Sequence, residues 1–304
     1  MPSSFFTINT EQGKIISVAV TAMSADSKPY DRLKDIKAFV ESKAGVKGLV
    51  DSGITSIPPF FIHPPDSLST KAPTSSNPNI IPTIDLSGVD SGKRLVLVQQ
   101  VAHACRELGF FQIVNHGIPL KVMENMIGAI KSFNEQPTEI KSRIYGSKRS
   151  VDFGCNIGML KAATWRDTLR VLPSHSNFEP KEIPEICRDE VLEWDNEVKQ
   201  VGEVLMGLLC EGLGLENRFV FQILTNDEYK SVEHRVLTNS HDEPRASVAV
   251  FFNTINNDVL YGPFEELVST DKPALYQPFT LSDFMKRYVT EDLGGKSLKN
   301  HYRL

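Results

Sequence analysis

The sequence lacks two features that would assign it to a familiar class at once. It has no excess of positive charge, because 33 Lys and Arg residues stand against 38 Asp and Glu residues and give a net charge of −5 at pH 7. No basic field therefore exists to attract nucleic acid or anionic lipid. It has only four cysteines, with no C-x-x-C pair, which argues against a disulfide scaffold and a zinc knuckle. We expect reduced thiols, and partners that are small molecules or other proteins.

Long hydrophobic runs are also missing. The longest apolar run near the N-terminus, 15–23, is interrupted by Ser17 and Thr21 and follows the acidic Glu11. It is too short for a membrane span and poorly flanked for a signal peptide. We expect a cytoplasmic protein without a membrane partner. The alternative is an organelle transit peptide over 1–25, against which the absence of Arg from that stretch weighs.

The composition that is present is that of an ordinary globular protein, with 40% hydrophobic and 23% charged residues over 304 positions. Apolar residues at helical spacing predict helices over 30–50, 93–108, 120–133, 190–213 and 281–288. Alternation and apolar runs predict short strands at 80–86, 110–114, 220–224, 231–238, 246–253 and 275–277. Six prolines between 57 and 79 predict an extended connector. The helix over 190–213 has the strongest apolar stripe, and we expect it to pack against a sheet.

The chemistry-bearing residues concentrate near position 240. His234 begins one predicted strand, and Arg245 and Ser247 lie two apart on the next, which places both on one face. A guanidinium beside a hydroxyl suits a small carboxylate. Taken alone, a structural histidine and a surface strand pair are the competing interpretations. Among the seven histidines no H-E-x-x-H or H-x-H arrangement occurs, so spacing alone names no metal.

Longer motifs make a resemblance specific. They are Pro-x-Ile-Asp-Leu at 82–86, Cys-Arg-Glu-Leu-Gly-Phe-Phe-Gln-Ile-Val-Asn-His-Gly-Ile at 105–118, Tyr-Lys-Ser-Val-Glu-His-Arg-Val at 229–236, and Arg245-x-Ser247. In these motifs the sequence resembles the plant iron(II)/2-oxoglutarate-dependent dioxygenases. Within that family, 31–54 and Trp-Arg-Asp-Thr at 165–168 are similar to the 1-aminocyclopropane-1-carboxylate oxidase homologs.

The resemblance implies an α+β protein with a jelly-roll (double-stranded β-helix) core, an N-terminal helical and strand domain, and a long supporting helix. It implies an oxidoreductase of plant secondary metabolism that oxidises a small metabolite while decarboxylating 2-oxoglutarate, with Fe(II), 2-oxoglutarate and ascorbate as cofactors. His234 matches the distal iron ligand of the family's 2-His-1-carboxylate triad. Arg245 and Ser247 match its 2-oxoglutarate carboxylate clamp. The implied divisions are a variable extension (1–29), a helix with a Pro-rich connector (30–79), the dioxygenase N-terminal domain (80–189), and the long helix with a truncated C-terminal domain (190–304).

The sequence departs from the family pattern at the proximal iron ligands. It contains no His-x-Asp and runs from Glu-Asn-Arg-Phe at 216–219 almost directly into 221–227. His234 is then the only remaining iron ligand, and no catalytic residue is assigned. His241-Asp242 is the nearby substitute, but seven extended residues from His234 amount to roughly 20 Å. His116 and His175 are further candidates without a signal that directs them inward.

We therefore expect an incomplete jelly roll, impaired activity, and a C-terminal half that is partly folded or aggregation-prone, because missing strands leave edges and apolar faces exposed. The alternative hypothesis is a catalytically silent splice variant, a binding protein or a faulty gene model. Sequence leaves the substrate and the oligomeric state open.

Overall fold

The computed structural model describes residues 30–63, 81–147, 149–157, 162–173, 178–216, 222–232, 234, 244–252, 259–290 and 300–304. The helices in this part of the chain are α1 (Arg32–Ser42), α2 (Gly45–Asp51), α3 (Arg94–Glu107), α4 (Leu120–Asn134), α5 (Thr138–Lys141), α6 (Arg188–Glu211) and α7 (Leu281–Thr290). The strands are β1 (Thr83–Asp85), β2 (Gln112–Val114), β3 (Val151–Cys155), β4 (Asp167–Val171), β5 (Leu260–Tyr261) and β6 (Phe279–Thr280). Among these residues, no helix combines the length and apolar character that a membrane span needs.

The main core lies between three long helices. The apolar stripes of α3, α4 and α6 face one another, and Val101, Phe133 and Leu208 are at most 1% exposed. The helices predicted over 93–108, 120–133, 190–213 and 281–288 are confirmed within one or two residues at most ends. Among the described elements, α6 packs chiefly against α3 and α4, so the prediction that the 190–213 helix packs against a sheet is not confirmed. The three amphipathic helices bury their apolar stripes against each other, and strand residues such as Val151 and Phe153 of β3 complete the same core.

The first strands form a small parallel pair beside this core. β1 pairs with β2 in the register Ile84 with Ile113. The strand predicted over 110–114 forms, but it is not a buried strand: Gln112 and Val114 are exposed and Ile113 is half-buried. Between α3 and β2 the chain turns at Gly109, which has a φ of +63°, as expected of a residue just past a helix end.

The N-terminal segment forms two helices where the sequence predicts one over 30–50. The break falls where Lys43 (φ +53°) and Gly45 (φ +70°) adopt the left-handed conformation. The Asp167 carboxylate of β4 then accepts hydrogen bonds from the backbone N–H groups of Val46 (2.8 Å) and Lys47 (2.9 Å) at the start of α2. Burial raises the pKa of Asp167, while these two amides oppose the rise. A distant carboxylate thus satisfies helix amides, which single-sequence periodicity cannot register.

The described residues of the C-terminal part contain fewer strand residues than the sequence predicts for them. The sheets of the described residues have two strands each: β1–β2, β3–β4 and β5–β6. Residues 222–228 form turns in place of the strand predicted at 220–224, and Tyr276 forms only an isolated bridge with Arg303. Residues 246–252 are extended but belong to no strand. Of the strand predicted at 231–238, residues 231, 232 and 234 belong to no strand and the others lie outside the described residues, as does residue 253. The chain is a mixture of helix and sheet, and the jelly roll is not confirmed.

A second, separate apolar cluster holds this C-terminal part. It comprises Ile223, Leu224, Tyr276, Phe279, Phe284 and Tyr302. Residues 222–228, which contribute Ile223 and Leu224 to this cluster, also make polar contacts with the end of the chain. The Asp227 carboxylate accepts from the Tyr276 hydroxyl (2.6 Å) and the Arg303 guanidinium (3.2 Å), and within the turns from the Gln222 amide (2.7 Å). The turns at 222–228 therefore connect the helical core to the last part of the chain.

Candidate functional site

His234 follows a segment that is fixed against the helical core. The Lys230 N–H donates to the Cys105 carbonyl (3.0 Å), and the Tyr229 hydroxyl donates to the Leu209 carbonyl (2.9 Å). The His234 ring packs beside Phe110 with 5.7 Å between the ring centroids. The residue is exposed and is not assigned to a strand, and residues 235–238, which would continue the strand predicted there, lie outside the described residues.

Two glycines let this segment lie so close to the helices. A Cβ atom at Gly109 would meet the Lys230 backbone, with its carbonyl carbon at 2.9 Å, and a Cβ at Gly212 would lie 2.6 Å from the Tyr229 hydroxyl oxygen. Gly109 lies just past the end of the predicted 93–108 helix, whereas nothing in the sequence analysis pointed to Gly212. The signal that could have indicated Gly212 is its position at the end of the 190–213 helix, where a residue without a side chain allows another segment to approach closely.

The hydrogen bond of the His234 ring decides which nitrogen carries a proton. Nδ1 lies 3.1 Å from the backbone carbonyl oxygen of Val232, and a carbonyl oxygen only accepts. A hydrogen bond between these atoms therefore requires Nδ1 to donate, and in the neutral tautomer that does so the lone pair lies on Nε2. Metal-bound histidines are commonly held in this way, with the other ring nitrogen donating to a carbonyl.

Arg245 and Ser247 lie on the same side of an extended segment. Along 245–252 the exposed residues are 245, 247, 249 and 251, and the half-buried ones alternate with them. The inward residues Val248 and Val250 pack against the main core. The predicted common face is thus present without the predicted strand. The guanidinium and the hydroxyl suit a carboxylate of 2-oxoglutarate in their chemistry, because both donate and the guanidinium is cationic.

An iron centre does not fit the residues that the structure describes. Within them, no three His, Cys, Asp or Glu side chains come together in a group that could hold a metal ion. The His234 imidazole has a suitable nitrogen, but a stable non-haem iron site requires further ligands. His175, His241 and Asp242, considered above as substitutes, lie outside the described residues.

The remaining candidates have structural roles. His116 accepts the Ile118 N–H at Nδ1 (3.2 Å) in a turn where Asn115 has a φ of +51°, and burial lowers its pKa. Trp165 packs edge-on against Phe61, with 4.9 Å between the centroids, in the cluster that attaches the N-terminal helices. Residues 115–117 therefore form a turn, and Trp165 is a packed aromatic residue.

Ion pairs connect the 222–230 segment to both sides of the molecule. The Glu228 carboxylate binds the Arg106 guanidinium of α3 (2.7 Å) and the Lys272 ammonium (2.5 Å). The hydrogen bonds from Lys272 and then Arg106 lower the pKa of Glu228. These two ion pairs hold the segment that precedes His234 to α3 on one side and to Lys272 on the other. The sequence analysis did not single out any of the three residues.

Comparison with known proteins places both halves of the chain in one family. Residues 81–191 match the family model for the N-terminal region of non-haem dioxygenases in morphine synthesis, and residues 213–254 match that of the 2OG-Fe(II) oxygenase superfamily. A crystal structure of JOX2 in complex with 2OG, Fe and JA shares the fold, with a TM-score of 0.69 at 24% identity over 86% of this chain and 98% of that chain.

Full-length relatives extend the match. Homolog 1 of 1-aminocyclopropane-1-carboxylate oxidase from Arabidopsis thaliana is 33% identical over 348 positions, which cover 88% of this chain and 95% of that protein. Deacetoxyvindoline 4-hydroxylase from Catharanthus roseus is 31% identical, covering 90% of each chain. Because 88% of 304 residues is about 268, about 80 of the 348 positions have no counterpart here. The chain therefore belongs to the iron(II)/2-oxoglutarate-dependent dioxygenase family and resembles the 1-aminocyclopropane-1-carboxylate oxidase homologs.

Proposed function

We propose that this chain is an oxidoreductase of the dioxygenase family whose turnover is impaired because the proximal iron ligands are absent. The reaction of the family would oxidise a small metabolite with O2 while 2-oxoglutarate is decarboxylated to succinate. The observation that carries the proposal is the lack of any His-x-Asp in the sequence, together with the absence of a three-ligand group among the described residues. One imidazole cannot retain iron(II) at low concentration.

The 2-oxoglutarate side of the site is better supported than the iron side. Arg245 and Ser247 share an exposed face, and the opposite face of their segment is packed against the core. We assign these two residues to one carboxylate of 2-oxoglutarate and His234 to the remaining iron position. Without the metal to hold the rest of 2-oxoglutarate, this pair would bind it weakly.

The architecture that accompanies this proposal is an incomplete jelly roll in the C-terminal domain. The extended segment 244–252, which lies on the core without belonging to a strand, supports it. We place the domain divisions at 1–29, 30–79, 80–189 and 190–304, and we propose the cytoplasm as the location. The substrate would be a small metabolite of plant secondary metabolism, a class to which the relative named as a deacetoxyvindoline hydroxylase points.

Succinate formation tests the proposal without knowledge of the substrate. Purified protein is supplied with Fe(II), ascorbate, O2 and 2-oxoglutarate, and His234→Ala is the matched control. We expect no more succinate from the parent chain than from the control, provided that both show the same helical circular dichroism. Succinate clearly above the control would mean that unidentified ligands complete an iron centre, and the proposed impairment would be wrong.

A gain-of-function chimera sharpens the same test. The segment of the Arabidopsis homolog 1 that contains its His-x-Asp is inserted between Val220 and Phe221, where the sequence departs from the family. If the missing ligands cause the impairment, the chimera forms succinate, and His234→Ala in the chimera abolishes it. A folded chimera that binds iron but forms no succinate would place the defect elsewhere.

A further inference from the structure

A glycine in the middle of α6 lies directly under the segment that carries Arg245 and Ser247. Gly202 is buried, and a Cβ atom at this position would overlap the Phe252 ring, with even the third nearest ring atom, Cδ1, at only 2.9 Å. Glycine is unfavourable inside a helix because it has the greatest conformational freedom to lose. Its presence here has a local reason, since any larger residue would displace the aromatic ring.

The position of Phe252 matters because the 244–252 segment has no strand of its own to fix it. In a paired strand, hydrogen bonds to neighbours define the register, and a slip of one residue turns every side chain to the other face. Here 244–252 belongs to no strand. Its inward side consists of Ala246, two valines and Phe252, and Phe252 is the only large one among them. The seat of this ring on Gly202 is therefore the contact best able to define the register.

We propose that Gly202 is a positioning residue for the carboxylate-binding pair. By admitting the Phe252 ring onto α6, it holds the segment in the register that turns Arg245 and Ser247 outward together. A slip by one residue would turn both side chains toward the core and present Ala246 and Val248 instead. The inference rests on the proposed assignment of Arg245 and Ser247 to 2-oxoglutarate.

The same helix offers a matched control. Gly207 also lies within α6, but a Cβ atom there would meet only the tip of the Arg94 side chain, at 3.3 Å, and Glu211 at 3.9 Å. A flexible side chain can move away at little cost. Gly202→Ala and Gly207→Ala thus make the same chemical change in one helix, and only the first should disturb the 244–252 segment.

The experiment uses the full chain and two readouts. Amide hydrogen exchange of 246–252 reports whether the segment stays packed, and calorimetric titration with 2-oxoglutarate reports whether the pair is presented. We expect Gly202→Ala to accelerate exchange of 246–252 by about tenfold or more and to raise the Kd for 2-oxoglutarate by about tenfold or more. Gly207→Ala should change neither quantity. In the double variant Gly202→Ala with Phe252→Leu, the smaller side chain makes room and restores both readouts in part.

The outcomes separate the positioning role from the proposed function. Equal exchange in Gly202→Ala and Gly207→Ala overturns the inference. If Gly202→Ala fails to fold, Phe252→Leu alone provides the test, since it removes the ring and should also accelerate exchange at 246–252; unchanged exchange would again overturn the inference. If the parent binds 2-oxoglutarate no better than Arg245→Ala, the assignment of the pair to 2-oxoglutarate is wrong, and so is a positioning role for that ligand. The exchange data would still show whether Gly202 sets the register of 246–252.

Discussion

The helical core and the C-terminal part of this chain differ in how closely their regular structure follows the prediction from the sequence. In the core, α3, α4 and α6 satisfy their own backbone groups and need only apolar stripes that meet, and all three helices form where periodicity predicts them. In the C-terminal part, strands depend on partners for every second backbone group. Residues 246–252 remain extended and alternate in exposure, yet they belong to no strand. Among the described residues, the helices therefore form where local periodicity predicts them, whereas each sheet has only two strands.

The two regions are joined by polar contacts in a few turns and by Phe264, which packs against both apolar clusters. Asp227 contacts the C-terminal cluster, and Glu228 bridges α3 to Lys272. Asn226 and Asp227 both adopt left-handed backbone conformations, with φ of +52° and +63°. The connection therefore combines these polar contacts with the partly buried ring of Phe264. It should be easier to weaken than either cluster.

The largest effect is expected in the helical core. Phe133 is 1% exposed and packs edge-on against Phe153, with 5.3 Å between the centroids. Phe133→Ala should lower the free energy of unfolding by about 3–5 kcal/mol, because it removes apolar contacts and leaves a cavity. Urea unfolding followed by circular dichroism measures the change. Leu260→Ala, at a side chain 65% exposed, should cost less than about 0.5 kcal/mol, and a similar loss in both variants would contradict the assignment of the core.

An intermediate effect is expected at the connection. Tyr276→Phe removes only the hydroxyl that donates to Asp227 at 2.6 Å. A hydrogen bond to a charged acceptor contributes about 1.5–3 kcal/mol. Hydrogen exchange should become faster in 259–290 and stay unchanged in α3, α4 and α6. A uniform acceleration over both regions would mean that they unfold as one unit and that the contrast drawn above is wrong.

The smallest effect is a pH dependence of the same connection. The pKa of Glu228 is lowered by Lys272 and Arg106, so the folded state favours the ionised carboxylate. Its stabilisation is present above the ordinary glutamate pKa of about 4.5 and is lost as the pH falls through the lower folded value. The stability difference between the parent and Glu228→Gln should therefore shrink as the pH falls below about 4.5. Glu124→Gln, at an exposed position of α4, serves as the control, and a difference independent of pH would refute the ionic role.

Prediction from the sequence succeeded where the signal was local. The helices α3, α4, α6 and α7, the strand β1, and the turn at 115–117 follow from periodicity and from residues that tolerate left-handed conformations. It failed where a residue distant in sequence decides the outcome. The Asp167 carboxylate supports a separate α2, and turns at 222–228 replace a predicted strand. Such contacts leave no periodic trace.

The candidate site divides in the same way. The motifs in the sequence predicted the family, which the comparisons confirm, because these motifs are long. The assignment of His234, Arg245 and Ser247 stays a prediction, and the lack of a His-x-Asp is evident from the sequence itself. Sequence could not give the state of the His234 ring nitrogens, which depends on the Val232 carbonyl. Nor could it give the seat of Phe252 on Gly202, which depends on two elements lying in contact. The residue types and their local periodicity determined the helices and the chemical groups available. Close packing between segments decided which face of 244–252 points outward, because only the tertiary structure brings the atoms of Phe252 and Gly202 into contact.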